Sequence, residues 1–229
     1  VGDDLQANFY GEYLLTKGLK FRTTFGARTS SSRDGRYLPS TMVGGREIGG
    51  QAYIDGYRST DVINENYFTF NKNVNDIHDM TLMAGYSCQS FHSEFWRAIS
   101  ENFITDAFSY WNLGGGSAAK NPRSTLTESE LASFYGRVNY KLFNRYLVTF
   151  NARYDGSSRF AKNNKWAFFP SGALAWNVSE ENFMKSIPEI SLFKLRASYG
   201  ITGNQAIGPY ESLARLASIP STIINNQLV

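Results

Sequence analysis

The chain is poor in the features that most often announce a chemistry. Cys88 is its only cysteine in 229 residues, so no disulfide can form within it and the redox compartment cannot be read. Its two histidines, His78 and His92, are far apart with no clustered cysteine, which argues against a zinc centre. No nucleophile elbow is present. The carboxylates Asp79, Glu128, Glu130 and Asp155 are not brought together by any spacing and read as solvated loop residues. Gly114, Gly115 and Gly116 lack the Gly-Lys-Ser/Thr ending and strand–helix setting of a phosphate loop. The chain therefore reads as no enzyme, with no cofactor and no metal. Charged residues are only 19%, below the roughly 25% usual in soluble proteins. The net charge of +3 comes without a basic run, so nucleic acid is not an expected partner. No apolar run reaches the roughly 18 residues that suggest a membrane-spanning helix. That says nothing of spanning strands, whose alternation averages out in hydropathy. Val1 carries neither initiator methionine nor signal peptide, as expected of a mature protein or a fragment.

Aromatic residues, by contrast, reach 15%, with 14 Tyr and 17 Phe, beside 20 Gly and only 6 Pro. This composition suits an all-β chain, and the patterning agrees. From Gln6 to Leu15, Ala7, Phe9, Gly11, Tyr13 and Leu15 share one face. Thr16–Gly18 then fits a three-residue hairpin loop. Leu19, Phe21, Thr23, Phe25 and Ala27 return on the same face. The clearest limbs lie between Leu131 and Trp176. There Phe134, Val138, Val148, Phe150, Leu174 and Trp176 occupy one face, and Arg137, Asn139, Asn151 and Arg153 the other. A tight turn falls at Phe143–Arg145. Another limb, from Phe193 to Ile201, puts Arg196 on the polar side.

About eight such limbs alternate between short or medium connections and long ones. The long ones are Thr29–Asp61, His92–Leu126, Asp155–Lys165 and the stretch after Gly200. Within His92–Leu126, Phe95, Ile99 and Phe103 recur at four-residue steps. They predict a short amphipathic helix, capped by Ser93 with Glu94 in its first turn. Short turns at one end and long loops at the other are the layout of an antiparallel up-and-down transmembrane β-barrel. A limb of about ten residues, tilted by about 40°, rises roughly 26 Å and matches an apolar band of roughly 25 Å. Aromatics gather near limb ends, as at Tyr140, Tyr146, Tyr154, Trp166 and Trp176, where an interfacial girdle would hold them. A soluble β-sandwich with its apolar face inward is the competing fold.

The stretch Glu130–Tyr210 is similar to SusC/RagA-type TonB-dependent outer-membrane transporters. Arg153–Phe160 (RYDGSSRF), Phe169–Ser171 ahead of Ala175–Trp176, and Leu195–Gln205 (LRASYGITGNQ) carry the resemblance. It implies a 22-stranded plugged barrel in the outer membrane of a Gram-negative bacterium. It also implies TonB-driven import of a glycan oligosaccharide or peptide, with a SusD-like lipoprotein capping the barrel. Short turns would then be periplasmic and long loops extracellular. The chain departs from that pattern in having no plug domain, no TonB box and no terminal aromatic strand. Residues 1–229 are therefore expected to be an internal piece of the barrel domain, with TonB reached through the missing plug.

The site expectations follow. Phe134, Val138, Val148, Phe150, Leu174 and Trp176 should face outer-membrane lipid. Arg137, Asn139, Asn151, Arg153 and Arg196 should face the lumen, meeting either water or the plug. Trp96, Phe103, Tyr110 and Trp111, in the second long loop, are candidates for contact with substrate or lipoprotein, since aromatics are favoured anchors. Two other functions compete: a soluble carbohydrate-binding β-domain using those same loop aromatics, and a surface or structural barrel that transports nothing. Solubility of the full-length protein separates the first of these from the transporter.

Overall fold

The period-two limbs join into one antiparallel sheet. The structure is a computed structural model that describes residues 1–187, 189–213, 223–224 and 227–228. Its strands are β1 (Gly2–Thr16), β2 (Leu19–Leu38), β3 (Gln51–Val74), β4 (His78–Phe103) and β5 (Gly116–Ala119), then β6 (Arg123–Leu142), β7 (Tyr146–Ser157), β8 (Trp166–Asn177) and β9 (Lys194–Gly200). Hydrogen bonding runs in the order β1-β2-β3-β4-β6-β7-β8-β9, with β5 as a short addition to β4. Each strand on this path pairs with its neighbour in sequence, apart from β5, so the topology is up-and-down and the sheet is open. A separate two-residue ladder joins Ile223–Ile224 to Gln227–Leu228 in the tail, where no strand is expected from the pattern. Pro188 of the β8–β9 connection lies outside the described residues.

The tight turns gather at one end of the sheet. At Asn75–Asp76 and Phe143–Asn144 both central residues have positive φ, between 51° and 58°. This is the mirror-image turn whose twist matches paired strands. Arg145 N–H donates to the Leu142 carbonyl (2.9 Å) and Ile77 N–H to the Val74 carbonyl (3.1 Å). Gly18 closes the β1–β2 hairpin at φ +86°, after a register shift between Leu14 and Thr16. The connection is two residues, Lys17 and Gly18, one fewer than predicted from Thr16–Gly18, because Thr16 pairs with Leu19 at the end of β1. The β8–β9 connection at this end is longer and carries 3-10 turns at Val178–Glu180 and Asn182–Ser186.

The opposite end differs from expectation in two places. Most of Thr29–Asp61 is strand: β2 runs to Leu38 and β3 starts at Gln51, leaving a connection with one helical turn, α1 (Val43–Arg46). The helix predicted near Ser93–Phe103 is absent, and those residues are the far half of β4. The reason lies in the spacing. A four-residue step is close to one helical turn and equally two strand periods, so Phe95 and Ile99 fit either. Backbone pairing to β3 on one side and β6 on the other decides for strand.

The ladders from β3 through β9 run without a register shift, so directly paired residues share a face. One face carries the cross-strand rows Phe70–Leu82–Val138–Phe150 and Asn66–Tyr86–Phe134–Tyr154–Phe168. The other carries Tyr67–Gly85–Tyr135–Arg153–Phe169. Leu174, Trp176 and Val148 belong to the first face, and Arg196, opposite Ala175, to the second. The sheet lacks an ordinary core. Among the described residues only Ala52 and Val178 are buried hydrophobics, while Phe134, Phe150 and Leu174 are 52%, 49% and 62% exposed.

Candidate functional site

Small residues on the polar face let large ones lie across the sheet. The buried polar residues include Ser87, Ser129, Ser133 and Ser157, all at positions that share this face. Gly85 pairs with both Tyr67 and Tyr135, and a Cβ there would lie 2.6 Å from Tyr67 Cβ and 2.8 Å from the Tyr135 ring. Glycine at this point is a seat for two rings rather than a turn residue. On the opposite face Gly156 works in the same way beneath its cross-strand partner Trp166, which packs against Phe134 and Tyr154. Its φ is not positive, and Asp155 and Gly156, expected to open the long Asp155–Lys165 connection, lie inside β7 instead.

Above this face lies an open crevice of about 1050 Å³. Its floor includes Tyr135, Arg137, Asn151 and Arg153 from β6 and β7, and Phe169 from β8. Glu65 and Tyr67 of β3 form one side, and Lys165 and the Ile201–Gln205 segment lean over it. That segment is tied down by Ser157 Oγ, which donates to Gln205 Oε1 (3.1 Å), and by Arg159, whose Nη1 donates to the Gln205 carbonyl (3.4 Å). The segment also needs Gly203, because a Cβ there would overlap the Phe169 ring.

Two arginines on the floor are held differently. Arg153 donates through Nε to both Asp155 oxygens (2.7 and 2.9 Å) and through Nη2 to buried Ser133 (2.8 Å). Among the described residues Arg137 donates only through Nε, to Asn151 Oδ1 at 2.6 Å, and Asn151 donates onward to Ser171 Oγ at 3.1 Å. This row crosses β6, β7 and β8 and fixes the Arg137 fork from behind. Asn139 accepts from Thr149 Oγ1 (3.0 Å) on the same face. Arg196 shares the face but sits on β9 and does not line the crevice.

The four loop aromatics are not brought together as a site. Trp96 lies on β4 opposite Gly56 and Ser124, on the face away from Arg137, and its indole covers Gly56. Phe103 packs edge-on against Tyr37 with centroids 5.4 Å apart. Tyr110 lies on Gly35 and stacks with Trp111 at 4.7 Å. Trp111 is 69% exposed, with the Arg33 guanidinium 5.3 Å from its ring centroid. Beside them a carboxylate locks the strand tips. Asp106 accepts from Tyr37 OH (2.5 Å), Ser40 N–H (3.2 Å) and Ser40 Oγ (3.0 Å). These bonds, Tyr37's first, hold its carboxyl below the usual range, while burial and then the Asp106 bond push the Tyr37 hydroxyl up to about 12.

Sequence reasoning did not single out Tyr67, Tyr135, Phe169, Lys165 or Gln205. The signal for Tyr135 was present, since it alternates with Phe134 on the Arg137 side of its limb. Gln205 is distant from the floor in sequence, and only the return of the chain after β9 brings it there.

Residues 2–226 match a family described as "TonB dependent receptor-like, beta-barrel". The chain is 45% identical over 226 residues to TonB-dependent receptor P3 of Formosa agariphila, covering 99% of this chain and 22% of that protein. It is 40% identical over 150 residues to TonB-dependent receptor SusC of Bacteroides thetaiotaomicron, covering 66% of this chain and 14% of SusC. A solved structure of the RagAB peptide transporter superposes with a TM-score of 0.81 at 24% identity, over 99% of this chain and 25% of that one. The chain thus spans about a quarter or less of the relatives it matches.

Proposed function

Because the chain belongs to the TonB-dependent receptor family, as part of its β-barrel, we propose that it forms one sector of the wall of an outer-membrane importer. That importer takes up an oligomeric nutrient, a glycan or a peptide, using energy delivered by TonB through a plug outside this sector. A SusD-like lipoprotein at the cell surface delivers the substrate. The polar face with its crevice is the lumen side, and Arg137, Asn139, Asn151, Arg153 and Arg196 are wetted there. The opposite face meets lipid through Phe134, Val138, Val148, Phe150, Leu174 and Trp176. The tight turns point to the periplasm and the long strand tips outward. Of the loop aromatics, Trp111 is the best placed to meet a lipoprotein or substrate, being exposed at the tips.

The observation that carries this reading is the missing core. A sheet of this size that leaves only two described hydrophobic residues buried exposes far more contiguous apolar surface than water tolerates. Hydrocarbon removes that penalty and also favours Tyr and Trp at its boundaries. On β7 the two aromatic levels, Tyr146 and Tyr154, stand eight residues apart in sequence, or roughly 21 Å of rise at a tilt of about 40°. This is close to the height of the apolar band. The full-length protein is expected to leave cells only in detergent and to migrate faster on gels before boiling than after. A water-soluble, monomeric full-length protein would sink the proposal.

A further inference from the structure

We infer that the crevice above β6–β8 binds carboxylate groups of the imported oligomer, with Arg137 as the receiving fork. The inference rests on the reading of the polar face as the lumen, and it names the class of substrate that lumen selects.

Three observations carry it. The first is the state of Arg137. Its Nε is occupied by Asn151, which is itself held by Ser171. No hydrogen bond from either Nη and no carboxylate partner within 4.0 Å is found among the described residues. Within this sector the fork is therefore oriented but not neutralised. A planar pair of donors presented this way matches a carboxylate in two-point geometry. Arg153, two residues from Asp155 and bonded to it, is already neutralised and serves as the internal contrast.

The second is the balance of charge on this face. Lys20 is paired with Glu12, and Lys141 with Asp79. Arg22, Arg137, Lys194 and Arg196 have no carboxylate partner among the described residues, against Asp61, held by Gln89, and Glu65 as the strand carboxylates of this face without a cation partner. In the crevice Lys165 is likewise without one, and Glu65 is the only lining carboxylate not already held by an arginine. Uncompensated positive charge on a walled surface concentrates anions.

The third is what surrounds the fork. Tyr135 lies two residues from Arg137 on the same face, about 7 Å along the strand, and its ring shares the Gly85 seat with Tyr67. Phe169 stands across Arg153 on β8. A ligand whose carboxylate meets Arg137 can lay its body along these rings. Purely cationic oligomers would meet uncompensated like charge there.

The test uses the full-length receptor in detergent and equilibrium binding of four probes: tetraglutamate, tetragalacturonate, and the neutral tetraglutamine and galactotetraose. At least one acidic probe is expected to bind ten times or more tightly than its neutral counterpart, with affinity falling as salt rises. Which acidic probe responds tells a peptide from a sugar-acid substrate. Arg137→Gln is expected to reduce the acidic probe's affinity about tenfold or more and flatten its salt dependence. Arg137→Lys, which keeps the charge but loses the fork, should fall between. Heat-modifiable mobility checks that each variant is folded. Equal binding of acidic and neutral probes, no binding of either acidic probe, or an Arg137→Gln receptor indistinguishable from wild type would overturn the inference. The import reading is judged separately, by detergent extraction and mobility of the unmodified receptor, and survives each of these failures.

Discussion

The near and far halves of β4 follow opposite rules. Toward the tight turns, Met80, Leu82, Ala84, Tyr86 and Cys88 form one face, while Asp79, Thr81 and Gln89 lie on the other. Toward the tips most of the apolar set has changed sides: Phe91, Phe95 and Ile99 continue the Gln89 face, and Ser90, His92 and Glu94 continue the Leu82 face, where Trp96, laid over Gly56, is the large exception. β3 shows the same inversion, from Phe68 and Phe70 to Tyr53 and Tyr57. The pairing of β3 with β4 has no register shift between the halves, so the backbone did not rotate; the surroundings changed. A soluble sandwich has no cause for such an inversion, because its core lies on the same side throughout. A wall that leaves the membrane has one. β4 has 26 residues, which rise roughly 68 Å at a tilt of about 40°, against an apolar band of roughly 25 Å. On the proposed reading the lipid-side face meets water beyond the band and turns mostly polar, with Trp96 and Leu126 among its remaining exposed large apolar residues. The inner face there builds its own contacts, with the Arg97 guanidinium 5.2 Å from the Tyr53 ring centroid and 5.7 Å from that of Phe95.

The largest expected effect is a direct test of that contrast. Val148→Arg, in the near half on the apolar face, should destabilise the folded protein in bilayers by about 2–4 kcal/mol if it lies near the midplane. Leu126→Arg sits on the same face but in the far half, opposite Glu94, and should cost less than about 1 kcal/mol. Asn151→Arg, on the polar face three residues further along β7, should also cost much less than Val148→Arg. Denaturant titration in lipid vesicles reads all three. Equal costs for Val148→Arg and Leu126→Arg would remove the boundary between the halves, and equal costs for Val148→Arg and Asn151→Arg would remove the assignment of faces.

A smaller effect probes what holds the far half together without lipid. Gly56 is buried beneath the indole of its partner Trp96. Gly56→Ala forces the ring to move and should cost about 1–3 kcal/mol, the usual range for an overpacked site. Because this contact is internal to the protein, the loss should be similar in lipid and in detergent. A loss seen only in lipid would mean that Trp96 acts through the membrane instead.

The same contrast explains what could be read from sequence. In the near half a single boundary separates wet from apolar, so Phe134, Val138, Arg137 and Asn151 declare their faces by alternation alone. The eight limbs and their tight turns were legible there. In the far half both faces are wet or mixed, and Ser30, Ser31, Ser32, Arg58 and Ser59 give no alternation to follow. Pairing with neighbouring strands, which no local pattern encodes, is what extends β2 to Leu38 and β3 back to Gln51. Glycine is silent for a related reason: nothing local marks Gly56, Gly85 and Gly156 as seats for a ring on a neighbouring strand. Of the candidate site, the Arg137–Asn151 pair was visible as a shared face. The crevice was not, because its overhang comes from Lys165 and from Gln205 after β9.

The smallest expected effect is confined to the tips and depends on pH. Asp106 gains its contacts in the folded state with a carboxyl held below its ordinary 3.8, first by the Tyr37 hydrogen bond. Its contribution is therefore present above about pH 4 and is lost as the pH falls through that depressed value. Tyr37 is raised from 10.0 to about 12, so its contribution is complete below pH 10 and is lost as the pH rises through 12. Between these limits the Tyr37–Asp106–Ser40 cluster pins the 39–50 connection to the segment after β4. Between pH 10 and 12 Tyr37 ionises when unpinned but stays protonated when bonded to Asp106, so the pin weakens steadily across this window, while the near half, which lacks this cluster, stays intact. Subtilisin digestion at pH 7 and pH 11 should show new cleavage within residues 39–50 at the higher pH and unchanged heat-modifiable mobility of the barrel. Tyr37→Phe should make cleavage there nearly independent of pH once the protease's own profile is divided out. If cleavage in the wild type did not rise, or rose equally in the variant, the tips would be held by the backbone contacts of Asn102 and Phe103 with Ile48, Gly49 and Gly50 and not by this side-chain cluster.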